Sequence, residues 1–398
     1  MTRRSSDDAD TDVSIDTLLT AVGRNPFANH GIVNPPVYHA STIVYPTVAA
    51  LRHADATPYD GTRYGRRGTP TTFALEEAVA ALEGGARSIA MPSGLSAVTT
   101  ALLAFLGRGD HVLVADTVYF PTRRFCDTVL AKYGIAVTYF DPCADIGPLF
   151  RPETRVLYME SPGSLTYEVQ DVAAATEAAH ARGVVAILDN TWSAGVTFKP
   201  FAHGVDVSVQ AATKYIVGHS DAMLGVITTT DAMFPRVKRM TSLLGTAAGP
   251  DDCYLALRGL RTVAVRLRRH AETALAVADW LADRPEVARV LHPARTDTPG
   301  HDIWKRDFSG ANGLLSIELR PCGADAVAAM LDHMELFAMG YSWGGYESLI
   351  IPFDLSTART ATRSTGRGPC LRLHCGLEDP ADLIADLSAG FERLNAVG

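Results

Sequence analysis

The chain has 398 residues, 47% of them hydrophobic and 20% charged, enough to bury more than one core, so a large domain with a smaller companion is expected. A formal net charge of −8, with most lysines and arginines dispersed, argues against a nucleic-acid or anionic-membrane surface and leaves small molecules as the expected partners. The six cysteines make no CxxC pair and no metal-ligand spacing with histidine, which predicts reduced thiols, no metal site and a cytoplasmic protein.

The opening MTRRSSDDADTD turns acidic after its arginines without an apolar stretch, so it reads as a disordered tail and not as a signal peptide. No run approaches the roughly 18 apolar residues of a membrane span. Residues 1–63 lack sustained periodicity and contain Asn25-Pro26 and Asn34-Pro35-Pro36, the marks of an extended arm that would lie on another subunit. A helix is expected from Thr72, which would serve as N-cap, with Leu75, Val79 and Leu82 inward and Gly84-Gly85 as terminator.

Short apolar or β-branched runs follow at 111–116, 136–140, 155–160, 184–189, 206–210 and 225–229, with helical stretches such as 171–182 between several of them. That alternation predicts an α/β fold with a mostly parallel, doubly wound sheet and functional groups at the carboxyl ends of strands. After Asp251 a long amphipathic helix is signalled by Val263, Leu267, Ala271, Ala274, Val277 and Leu281 on one face; Arg266, Arg268 and Arg269 read as its solvated side. The expected boundary near 257 separates a large domain, 64–256, from a smaller C-terminal α/β domain, 257–398. The latter contains strands at 314–319 and 371–376 and a last helix opened by Asp379-Pro380.

Six features carry chemistry. The run VVAILDN ends in Asp189, a carboxylate at a strand end, which is costly to bury unless a cation or hydrogen-bond donor meets it; a pyridinium nitrogen would, and so would an ordinary N-cap or loop hydrogen bond. Lys214, in AATKYIVGHSD, follows the next strand, where partial desolvation would lower its pKa and favour imine chemistry, although most lysines simply face solvent. PSGLSAV opens a helix at Ser93, with Gly94 small enough for close approach of a phosphate to the free amides, or it is a plain capped helix. Arg66 would add a charge-assisted fork to that phosphate if the arm reaches over from a neighbour; otherwise it is a surface arginine. Tyr119 could stack on a planar cofactor or fill core space, and Arg372, alternating with Leu371 and Leu373, could clamp a substrate carboxylate or form a salt bridge.

The segments RYGRRGTPT, PSGLSAV, LDNTW, QAATKYIVGHSDAM, GLRTVAVRLRRH, YSWGGYESL and LRLHCGLED together resemble the Cys/Met-metabolism, or trans-sulfuration, pyridoxal-phosphate enzymes, and within them the bacterial β-lyase branch. The resemblance runs from about residue 20 to the C-terminus. It implies an aspartate-aminotransferase-like (fold type I) protein assembled as a homotetramer of two active dimers. Lys214 would carry pyridoxal 5'-phosphate as an imine, Asp189 would meet its ring nitrogen and Tyr119 would stack on it. Gly94, Leu95 and Thr213, with Ser93 opening their helix, would hold the phosphate, joined by Tyr64 and Arg66 of the adjacent subunit. Arg372 would grip the substrate carboxylate with Ser342 and Trp343 close by, while Tyr119 and Tyr64 would be candidates to deprotonate the incoming amine.

Ala211 stands where γ-enzymes of the family usually carry serine, and Tyr341-Ser342-Trp343-Gly344-Gly345 replaces a Glu-Ser-Leu-Gly-Gly pattern, giving a bulkier, less acidic wall. Both departures favour β- over γ-elimination, with L-cystathionine cleaved to homocysteine, pyruvate and ammonia. Rival expectations are a lyase of cysteine, cystine or another thioether conjugate, a γ-synthase or γ-lyase, and a catalytically silent regulatory protein on the same scaffold.

Overall fold

The computed structural model describes residues 13–397 apart from 58, 357, 363–365 and 367. The acidic opening segment expected to be disordered lies outside them, in residues 1–12.

The apolar runs assemble into a seven-stranded sheet formed by β1 (Arg87–Met91), β2 (His111–Ala115), β3 (Ala136–Phe140), β4 (Thr154–Glu160), β5 (Val185–Asp189), β6 (Val207–Gln210) and β7 (Gly225–Thr229). Their order is β1-β7-β6-β5-β4-β2-β3, and β7 runs against both its neighbours while β6, β5, β4, β2 and β3 pair in parallel. Every residue of β2, β6 and β7 is buried, as strands of a sheet covered on both faces must be. The carboxyl ends of β2, β4, β5 and β6 therefore point to one edge, where Tyr119, Glu160, Asp189 and the turn to Lys214 follow.

A second sheet, wholly antiparallel, contains β8 (Val287–Leu291), β9 (Leu314–Leu319), β10 (Leu349–Phe353) and β11 (Cys370–His374) in the order β10-β11-β9-β8. The last helix, Pro380–Val397, seals it with Leu383, Leu387, Phe391 and Leu394.

Three local expectations are corrected. The helix after residue 69 spans Pro70–Glu83, so Thr72 is not its N-cap; Thr69 is, in a capping box with Thr72, and Pro70 takes the first helical position. The long helix after Asp251 is two, Pro250–Leu260 and Val263–Ala282, separated by Arg261 and Thr262. Arg266 is not on a solvated face: it is 6% exposed and its Nη2 donates to the carbonyls of Gly259 (2.8 Å) and Ile216 (3.4 Å), tying this helix to the turn after Lys214. Arg268, by contrast, is half exposed and pairs with Asp16 at 3.0 Å.

Two buried histidines give the fold an acid limit. Burial pushes His270 and His292 down to about 4, in His292 with help from Arg295, and the His292 Nδ1 accepts the Ala294 amide at 3.1 Å. Between 6.5 and about 4 the unfolded chain binds protons that the folded chain refuses, so this stability is present above the upper value and is lost as pH falls through the window. The thermal midpoint is expected to drop steadily from pH 6.5 to 4, and less steeply in His292→Gln; a midpoint flat across that range would contradict the assignment.

Candidate active site

At the carboxyl edge of the large sheet lies a cavity of about 360 Å³, lined among others by Ser93, Gly94, Leu95, Tyr119, Glu160, Asp189, Thr191, Thr213, Lys214, Trp343 and Arg372. The two sheets contribute together, since Arg372 belongs to β11 and the rest, Trp343 excepted, to the loops and strands of the large sheet.

Each group is placed by a local cause. Ser93 caps the helix Gly94–Phe105 by accepting the Ser96 amide at 3.1 Å, so the amides of Gly94 and Leu95 remain as first-turn donors at the positive end of the helix. Gly94 is demanded by packing as well as by ligand approach, because a Cβ there would stand 2.5 Å from the Ala211 methyl. Asp189 closes β5 almost fully buried, and its Oδ1 accepts the Thr191 hydroxyl at 2.6 Å and the Thr191 amide at 3.1 Å. Burial raises its pKa against the pull of those two bonds, so the carboxyl calls for a cation.

Lys214 enters from the turn after β6, with its Nζ 2.8 Å from Ser342 Oγ and 5.3 Å from the centre of the Trp343 ring. Burial, then the Arg372 charge, lowers its amine to about 8 against the opposing pull of Asp189. Arg372 gives Nη2 to the carbonyls of Gly340, Tyr341 and Ser342, at 3.1, 3.1 and 3.0 Å, and its buried Nε has no partner. An unpartnered guanidinium N–H beside a cavity fits an incoming carboxylate.

Tyr119 opens the segment after β2, is 47% exposed, and keeps its proton at neutral pH because burial, Glu160 and Asp189 all raise its pKa. Its amide donates to Glu160 Oε2 at 2.7 Å.

Some expected residues stand elsewhere or are already engaged. Tyr64 and Arg66 do not line this chain's cavity; Tyr64 is 46% exposed and Arg66 donates to the Ser242 carbonyl at 3.1 Å. The Thr213 hydroxyl donates to the Leu224 carbonyl (3.1 Å) and accepts the Leu224 amide (2.8 Å), anchoring the lysine turn to the residue that leads into β7. Tyr341 adds no bulk to the wall, being 89% exposed and outside the lining, whereas Trp343 does face the cavity.

Two residues escaped the sequence reading. Glu160 pairs in register with Asp189 across β4 and β5, so both carboxyls face the same side; burial and the Asp189 charge push it well above the carboxylate range. Its signal was there, an acid closing an apolar run as Asp189 does. Thr191, which holds Asp189, stood in LDNTW without any local mark of its role.

The donor set fits pyridoxal phosphate in both geometry and electrostatics. Helix-start amides suit a phosphate, a buried carboxyl suits a pyridinium, an amine of lowered pKa suits an aldehyde, and a partly unpartnered guanidinium suits an amino-acid carboxylate.

Comparison with known proteins points the same way. The family profile described as Cys/Met metabolism PLP-dependent enzyme matches residues 16–392. Cystathionine beta-lyase MetC of Escherichia coli is 45% identical over 96% of this chain and 99% of its own length. The L-alanine/L-glutamate racemase of Wolbachia pipientis is 40% identical over 95% of this chain and 97% of its own. Among solved structures, metB from Corynebacterium glutamicum superposes with a TM-score of 0.88 at 29% identity, covering 97% of this chain and 99% of that one.

Proposed function

Because the chain belongs to the Cys/Met-metabolism pyridoxal-phosphate-dependent enzymes, with their fold type I architecture, we propose that it is a carbon–sulfur β-lyase that cleaves L-cystathionine to L-homocysteine, pyruvate and ammonia. The single observation behind this reading is that Lys214, Asp189 and Arg372 line one cavity, with the Lys214 amine 2.8 Å from Ser342 Oγ. The relative named cystathionine beta-lyase supports the choice of thioether.

Pyridoxal phosphate, when bound, supplies an electron sink for the pair left on the α-carbon. Asp189 would keep the ring nitrogen protonated, the amides of Gly94 and Leu95 would hold the phosphate, and Tyr119 would help hold the ring. Arg372 fixes the substrate carboxylate, which leaves the α-hydrogen to the Lys214 amine as base. Loss of the β-thiolate then needs a proton at sulfur, and Lys214, having just taken one, can supply it.

Arg372→Lys keeps the charge but loses the planar fork. KM is expected to rise roughly 10–100-fold, the equivalent of about 1.5–3 kcal/mol for a charged hydrogen bond, with a smaller change in kcat. An unchanged KM would remove Arg372 from the carboxylate site.

A second reading comes from the racemase relative, since loss of the α-proton followed by reprotonation from the opposite face would invert the centre. Keto-acid analysis separates the possibilities: pyruvate from L-cystathionine supports the β-lyase, 2-oxobutanoate a γ-enzyme, and D-alanine from L-alanine without keto acid a racemase. Relative rates on L-cystathionine, L-cystine and L-cysteine then rank the thioethers.

We also infer a homotetramer in which Tyr64 and Arg66 complete a neighbour's site, and a division of the chain into an arm (1–63), a large domain (64–256) and a small one (257–398). Large apolar side chains of the arm support the assembly, with Phe27 at 88% and Val44 at 87% exposure in the isolated chain. Light scattering of the purified protein reads the oligomer directly. The cysteines, all unpaired, favour a reducing compartment such as the cytoplasm, and no described helix is long and apolar enough to cross a membrane.

A further inference from the structure

Resting on the reading of Lys214 as the working amine, we propose that His374 is a positioning residue that sets that amine through the turn at 342–344. His374 closes β11 two residues after Arg372, on the same face of the strand, and is fully buried. Its Nε2 lies 3.0 Å from the Gly344 amide, which can only donate, and its Nδ1 lies 3.1 Å from the Glu347 carbonyl, which can only accept. The proton therefore sits on Nδ1, and each ring nitrogen has a fixed part. An imidazolium would set N–H against N–H at Gly344.

The neighbours enforce the neutral form. Burial lowers His374 most, followed by His270 from the helix Val263–Ala282, whose ring centre is 5.2 Å away, and by Arg372 and Lys214. Only the Glu347 carbonyl pulls the other way. Around the ring pack Tyr215, at 5.9 Å between ring centres, and His270.

The braced turn touches the lysine directly. Gly344 has φ +89°, and a Cβ there would come within 2.9 Å of the Lys214 carbonyl carbon and the Tyr215 nitrogen, so this turn rests on the backbone of the lysine. Just upstream, Ser342 Oγ takes the hydrogen bond from Lys214 Nζ, while its carbonyl and those of Gly340 and Tyr341 are gathered by Arg372. One strand thus holds the turn twice, its carbonyls by a cation and its amide by an imidazole. Removing the imidazole leaves the buried Gly344 amide unpaired, a cost the turn can relieve by lifting toward water. Lifting it carries Ser342 away from Lys214.

The test reads the amine without turnover. In protein freed of cofactor, acetylation of Lys214 by acetic anhydride is followed against pH by peptide mass spectrometry, in wild type, His374→Leu, His374→Gln, Ser342→Ala and the Ser342→Ala/His374→Leu double variant. Facing Lys214 are Asp189, Arg372 and His374, and the first two are unchanged throughout. His374→Leu should alter the Lys214 titration as Ser342→Ala does, within about twofold in rate, and the double variant should go no further than either single one. Glutamine offers an acceptor to Gly344 and a donor to Glu347, so His374→Gln should restore the wild-type profile. In the loaded enzyme, kcat of His374→Leu should fall about tenfold with KM changed less than about threefold.

A folded His374→Leu with a wild-type Lys214 profile, or full additivity with Ser342→Ala, would overturn the proposal. If the leucine variant does not fold, His374→Asn, polar but too short to span both groups, carries the same comparison. The labelling result stands independently of which keto acid is released, so failure of the β-lyase reading and failure of the His374 proposal are separately visible.

Discussion

Replacing Lys214 with alanine is expected to leave a folded protein that has lost its visible cofactor absorbance and at least about 10⁴ of its turnover, since both carrier and base go with one side chain. The lowered amine explains the choice of this lysine. At pH 7.5, an amine at about 8 has on the order of 10² more free base than one at the ordinary 10.5. Small primary amines should restore part of the rate, because the cavity keeps Asp189, Arg372 and the helix-start amides in place. The checks are absorbance and keto-acid release with and without added amine. Wild-type turnover in the alanine variant would exclude Lys214 as the base.

Replacing Asp189 with asparagine keeps the shape and keeps an oxygen for Thr191, but removes the charge that a protonated ring nitrogen needs. A kcat loss of roughly 10²–10³ is expected, of the size seen when a preorganised electrostatic partner is removed from a buried site. Fold stability should hold or rise in the cofactor-free protein, where burial drives this carboxyl upward against its bonds to Thr191. Steady-state rates together with unfolding of the cofactor-free variant separate the two effects. A variant that unfolds would make Asp189 a structural residue first.

Much of this site was legible because its groups sit where chain pattern and chemistry coincide. Asp189 ends an all-apolar run and Lys214 follows the next strand, so two titratable groups at neighbouring strand ends could be read from order alone. Ser93-Gly94 likewise announced a helix start. The hidden parts depend on segments distant in sequence. RLRRH reads as a charged helix face, and nothing local reveals that the carbonyls of Gly259 and Ile216 converge on Arg266. His374 owes its part to Gly344 and Glu347, and its own strand gives no hint of them.

Strand detection failed for related reasons. β1 opens with Arg87 and Ser88, and β8, VARVL, is short and shows no alternation of buried and exposed residues to mark it. β10 contains Pro352, which argues against a central strand; the structure puts β10 at the edge of its sheet, where a missing N–H is tolerated. The shift from Thr72 to Thr69 as helix cap follows from Pro70, which suits a first helical position and so places the cap one residue earlier.

On the function proposed above, the cavity at the strand ends holds pyridoxal phosphate on Lys214. Borohydride reduction of the purified protein fixes the cofactor to whichever amine carries it, and peptide mass spectrometry then locates the added mass. One modified peptide, containing Lys214, is expected, and none in Lys214→Ala. Modification at another lysine, or a wild-type protein with no reducible cofactor, would contradict it.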